Sequence, residues 1–94
     1  MTYVRESKVE QHFVDCAAAH RWAVRKLEWP GRPGAPDRFV MKAPGRLWFV
    51  ELKTKGGVLR PEQVREHELL ERLGFNIAVL WTKQQVEDFF RDLD

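Results

Sequence analysis

The sequence predicts an α/β domain, a mixed sheet flanked by helices, with elements in the order αβββαβα. Three observations carry that reading. Residues 38–43 and 47–54 are short runs rich in Val, Phe, Trp and Leu, and Pro44-Gly45 between them is a strong turn dipeptide, so they form an antiparallel hairpin. Three other stretches place apolar residues at helical spacing. One of these stands between the hairpin and a further apolar run, and a meander followed by a helical crossover gives a mixed sheet. At 94 residues the chain, 1–94, is one domain with one modest core. Hydrophobic residues at 44% beside 32% charged residues exclude a disordered chain.

The elements follow in order. Ser7-Lys8-Val9-Glu10 has the S-x-x-E form of a capping box. Val9, Phe13, Cys16 and Ala17 then recur at helical spacing and predict a helix over 8–19. Residues 22–29, W-A-V-R-K-L-E-W, predict a first strand with wet ends. Residues 30–36 hold three prolines and two glycines, which makes a loop without regular structure. The hairpin comes next, and Gly56-Gly57 lets the backbone turn or approach a ligand closely. Pro61, after Arg60, is placed at the first position of a second helix, and Gly74 closes it. Leu69, Leu70 and Leu73 form its apolar stripe, with Val64 off it. Residues 75–81, F-N-I-A-V-L-W, predict a buried strand. Thr82-Lys83-Gln84-Gln85 opens a last helix that carries Val86, Phe89, Phe90 and Leu93.

Composition excludes several classes. No apolar run approaches the roughly 20 residues of a membrane span, and Met1 to Arg5 lack the apolar region of a signal peptide. Cys16 is the one cysteine, so no internal disulfide forms, and a buried thiol in a reducing, cytoplasmic setting is expected. No Cys/His cluster has zinc-site spacing. The net charge of +2 is unevenly spread. Residues 20–60 hold ten Lys or Arg against three acids, and residues 61–94 hold four against eight. The positive field of the first half fits a phosphate-rich partner.

That basic half also holds the chemistry-bearing stretch, P-D-R-F-V-M-K-A-P-G-R-L-W-F-V-E-L-K. Asp37 opens one apolar run, and Glu51 closes the other with Lys53 two residues later. Side chains alternate along a strand, so Glu51 and Lys53 share a face. A carboxylate in an apolar strand is costly unless it is paired or binds a metal. An ion pair at the sheet edge answers that cost, and so does a metal. The pattern of P-D, a hairpin and E-L-K resembles the PD-(D/E)XK nuclease superfamily. Gly34-Ala35-Pro36-Asp37-Arg38, Glu51-Leu52-Lys53-Thr54-Lys55-Gly56-Gly57, Leu59-Arg60-Pro61-Glu62-Gln63 and Leu73-Gly74-Phe75 narrow the resemblance to its VRR-NUC branch.

The resemblance implies the PD-(D/E)XK fold, an αβββαβ core with an added C-terminal helix. It implies a Mg²⁺- or Mn²⁺-dependent endonuclease, since carboxylate oxygens suit hard divalent cations. The implied catalytic set is Asp37, Glu51, Lys53 and Gln63. The implied metal ligands are Glu10, Asp37, Glu51 and the Leu52 backbone carbonyl. Glu10 keeps a competing role in the capping box, with Glu6 as the alternative ligand. Arg32, Arg38, Lys55 and Gly56 are the expected nucleic-acid contacts. So small a chain has no room for a base-reading domain, so branched DNA of the Holliday-junction kind is the expected substrate. A homodimer is expected, with Trp48, Trp81, Phe89 and Phe90 as interface candidates, and no organic cofactor. Two other readings fit the residues: a non-catalytic nucleic-acid-binding subunit, and a sequence-specific restriction-type enzyme.

Overall fold

The computed structural model describes the backbone of residues 2–54 and 56–94 and the side chains of residues 8–54 and 56–94. Helix α1 (Thr2–Ala19) leads into β1 (Ala23–Lys26), β2 (Arg38–Lys42) and β3 (Arg46–Leu52), followed by α2 (Pro61–Arg72), β4 (Asn76–Leu80) and α3 (Lys83–Leu93). The four strands lie in sequence order. β1 and β2 pair antiparallel, as do β2 and β3, and β4 runs parallel to β3 across the α2 crossover. The predicted mixed sheet and element order are therefore what the chain adopts.

The sheet has two unlike faces. Strand alternation sends Val40, Val50 and Leu52 to one side, where they meet Phe13 and Ala17 of α1 and Val86 and Phe90 of α3. Phe13 and Phe90 are both fully buried, with ring centroids 5.3 Å apart. Burial of each such side chain contributes roughly 1.5–3 kcal/mol, and this layer is the core. The opposite side carries Phe49 and Glu51 and is roofed by α2. There Phe49 sits between Trp29 and Phe75, with edge-on contacts at 6.5 and 5.7 Å.

Helix ends follow local chemistry. Trp22 N–H bonds Ala17 O and Arg21 N–H bonds Ala18 O, which closes α1 with Arg21 at φ 65°. Pro61 takes the first position of α2, and Gly74 follows its end at φ 90°. Thr82 caps α3 by accepting from Gln85 N–H, while Gln85 Oε1 accepts from Trp81 N–H.

Four expectations need correction. Helix α1 starts at Thr2, so Ser7 lies inside it and is no cap; Tyr3 to Glu6 contain no helix breaker. β1 is half the length predicted, because Trp22 turns into the core and regular strand pairing ends at Lys26. β4 is an edge strand rather than a buried one, and Phe75 before it is 49% exposed. Cys16 is only half-buried; burial, then Glu87 and Asp15, push its thiol up. The aromatic residues named as interface candidates make contacts within the chain as well. Phe90 is core, Trp48 and Phe89 stack edge-on at 5.3 Å, and Trp81 Nε1 donates to Gly57 O at 2.7 Å.

Candidate active site

The proline-rich loop ends on buried Pro36, and Asp37 then enters the sheet. Asp37 O accepts from Leu27 N–H, which extends the pairing of the first two strands by one step. The register of β2 on β3 sets Arg38 against Val50, so the next position outward sets Asp37 beside Glu51. Asp37 Oδ2 accepts from Leu52 N–H at 2.9 Å. Two acids from separate strands are thus brought together by register alone.

Glu51 is 1% exposed, and α2 supplies its partners. Gln63 Nε2 donates to Glu51 Oε2 at 3.0 Å. Gln63 Oε1 accepts from Lys53 Nζ at 3.0 Å and from Arg60 N–H at 2.9 Å. Every bond of this amide is directional, so its orientation is fixed by its neighbours. Lys53 Nζ lies 3.8 Å from Glu51 Oε2 and so is placed by Gln63 rather than by a direct hydrogen bond to the acid. Far from being a solvated helix residue, Gln63 is 4% exposed and joins Lys53 to Glu51.

The electrostatics match this crowding. The Asp37 residue is open at its rim, but its carboxyl turns inward, and desolvation there pushes its pKa up to about 6. The Leu52 N–H works against that shift, the Glu51 charge adds to it, and Lys53 lowers it.

The other predicted residues fall into place unevenly. Glu10 of α1 borders a cleft of about 480 Å³ with Glu28, Asp37 and Arg38. Its Oε2 accepts from Arg38 Nη2 at 3.2 Å, so it is turned to Arg38 rather than to Glu51. Arg38 in turn is 9% exposed and directed to α1. Among the described residues, no three His, Cys, Asp or Glu side chains gather as a metal cage. Arg32 makes a two-pronged pair with Glu66, at 3.1 Å for both contacts. The Arg32 guanidinium holds the Glu66 carboxyl below the usual carboxylate range. Gly56 is exposed at φ 84° in the turn after β3. Lys55, and the Glu6 side chain, lie outside the described residues.

Sequence reasoning missed Glu66 and His67, which are 7% and 6% exposed. The signal was present. Gln63, Glu66, His67 and Leu70, the buried residues of α2, fall at helical spacing, and three of the four are polar, so a leucine stripe does not mark this face. His67 Nε2 stands 3.7 Å from Glu51 Oε1.

An α/β sheet that sets an Asp beside a buried Glu, with a Lys two residues on, defines a nuclease of the PD-(D/E)XK type. A solved VRR_NUC domain shares the fold with a TM-score of 0.87 at 35% identity, covering 93% of this chain and 95% of that one. A protein of Acyrthosiphon pisum secondary endosymbiont phage 1, named "Putative nuclease p44", is 39% identical over 80 residues, 85% of this chain and 86% of the phage protein. No family model matches the sequence. The chain belongs to the VRR-NUC family of nucleases.

Proposed function

We propose that the protein is a Mg²⁺- or Mn²⁺-dependent endonuclease that hydrolyses phosphodiester bonds in branched DNA. The observation that carries this reading is the meeting of Asp37 and Glu51 with Lys53 held over them by Gln63. The donor set fits a hard divalent cation. Glu51 Oε1 is buried without a hydrogen-bond partner among the described residues, and Asp37 is held against ionisation beside it. Asp37 and Glu51 would hold the ion, with the Leu52 carbonyl, and Glu10 across the cleft by giving up Arg38. When bound, the ion supplies positive charge at phosphorus and a more acidic water.

The protein's own groups do the rest. Lys53 Nζ presents a positive charge to the phosphate oxygens as negative charge builds in the transition state. Gln63 holds that ammonium in place through Oε1 while its Nε2 orients Glu51. Asp37 and Glu51 would hold the cation on the side of the sheet that Lys53 shares. The basic stretch 20–60 favours the DNA backbone.

What supports branched DNA is that the nuclease fold takes up these 94 residues, leaving structure rather than base sequence as the feature they can read. Symmetric resolution of a junction needs two cuts, and a homodimer gives two equivalent sites about one axis. The test is a cleavage panel of flaps, forks, four-way junctions and single strands with Mg²⁺ and Mn²⁺, run beside sedimentation at micromolar concentration. Paired nicks in a four-way junction by a dimer are expected. Asp37→Asn and Glu51→Gln should each abolish cleavage with the fold intact. Undiminished cutting by either variant would sink the site as described.

A further inference from the structure

Helix α2 presents a second buried side chain to Glu51 that the chemistry above does not use. His67 lies one turn after Gln63, and residues four apart share a helix face. Once Gln63 reaches Glu51 Oε2 at 3.0 Å, α2 must bring His67 alongside, and its Nε2 lies 3.7 Å from Oε1 of the same carboxylate. Both atoms are buried, and neither has a hydrogen-bond partner among the described residues. A separation of 3.7 Å is too long for a hydrogen bond. A buried donor and a buried acceptor that face each other unpaired are costly, and a slight approach removes both costs at once. The two oxygens of one carboxylate are thus addressed by two side chains of one helix, one bonded and one a few tenths of an ångström short.

We infer that His67 is a positioning residue: with its hydrogen on Nε2, it donates to one lone pair of Glu51 Oε1, leaving the other for the cation, and together with Gln63 fixes the plane of that carboxylate. The inference rests on Glu51 being a working carboxylate of the proposed nuclease. His67 touches no substrate and acts through Glu51 alone. Removing an outer partner of this kind typically costs about 10- to 100-fold in metal affinity or activity. A purely space-filling His67 makes a different demand, since Leu would satisfy it.

The experiment compares His67→Leu, His67→Gln and Glu51→Gln with the unsubstituted protein. It reads kcat and KM on DNA, Mn²⁺ affinity by calorimetry without DNA, and the imidazole tautomer by ¹⁵N NMR. His67→Leu should lose about 10-fold or more in kcat and in Mn²⁺ affinity with KM for DNA unchanged. His67→Gln, whose amide donates, should regain most of that loss. The unsubstituted protein should show the Nε2–H tautomer, with a resonance that moves in Glu51→Gln. Unchanged kcat and Mn²⁺ affinity in His67→Leu, or an Nδ1–H tautomer, beside an inactive Glu51→Gln, overturns the role of His67 and leaves the nuclease reading standing. Full activity in Glu51→Gln overturns both. If His67→Leu does not fold, the tautomer in the unsubstituted protein decides.

Discussion

Asp37 carries a conflict that a measurement can expose. Its folded pKa is about 6, above the 3.8 of a free aspartate. Between those values the folded state holds the proton and the unfolded state does not, so stability falls as pH rises through that window. The contribution is fully present below 3.8 and lost above about 6. Asp37→Asn removes the charge and keeps an oxygen for the Leu52 N–H. It should therefore stabilise the metal-free protein at pH 8, on the order of 1 kcal/mol once partial solvation of the residue is allowed for. At pH 4 the gain should vanish. Thermal melts at the two pH values check this, and equal midpoint shifts at both would contradict it. Gln63→Ala should leave Lys53 and Glu51 unpositioned and lower kcat by about 10- to 100-fold, read in single-turnover cleavage. At this scale strand alternation put Glu51 and Lys53 on one face, while Asp37 and Gln63 were singled out by the resemblance to the nuclease family, which reaches across the α2 crossover where spacing does not. His67 was not, because its partner is 16 positions away and only the α2 crossover brings them together.

Helix α2 is unusual in burying polar residues. Three of its four buried side chains, Gln63, Glu66 and His67, can hydrogen-bond, and each has a counterpart around the site. Glu66 grips Arg32, and Gly34 lies so close beneath the helix that an added Cβ would stand 2.4 Å from Glu62 O. Together they press the 30–36 loop onto α2 and deliver Asp37. Gly34 also sits at φ 97°, which disfavours a side chain on its own account. Gly34→Ala should destabilise by about 2–4 kcal/mol, measured by urea unfolding, since backbone strain and overpacking add. A loss below 0.5 kcal/mol would mean that the loop is free to move off the helix. The helix was foreseen because Pro61 and Gly74 punctuate it. Its working face was not, because hydrophobic periodicity is blind to a stripe made of Gln, Glu and His. The short β1 and the exposed start of β4 were misjudged because apolar runs report burial potential and not which strand lies at an edge.

The whole molecule separates stability from chemistry by face. The α1 and α3 layer is apolar and closed, with Phe13, Val86 and Phe90 at 0% exposure. Phe90→Ala should cost about 3–5 kcal/mol, with kcat unchanged in the fraction that remains folded. The α2 face holds Asp37, Glu51 and Lys53, and its stability should respond to the cation instead. At 100-fold over its Kd, Mn²⁺ should add about 2.7 kcal/mol, seen as a raised melting midpoint. The same addition should do little for Asp37→Asn. No helix among the described residues is long and apolar enough to cross a membrane.

The direction of β2 also decides where the molecule tolerates attachments. Its far end, at Lys42, reaches back to His20 O, and the neighbouring Arg46 binds Leu93 O near the end of α3. Five residues of strand, about 17 Å, separate that end from Asp37. A tag, a surface anchor or a second enzyme joined after Asp94 therefore emerges remote from the cleft and should leave cutting intact. One joined ahead of α1 emerges at the opposite end, because Glu10 of α1 lines the cleft itself. Such a fusion would stand on the cleft side of the molecule, so the C-terminal end is the one from which to build a larger tool.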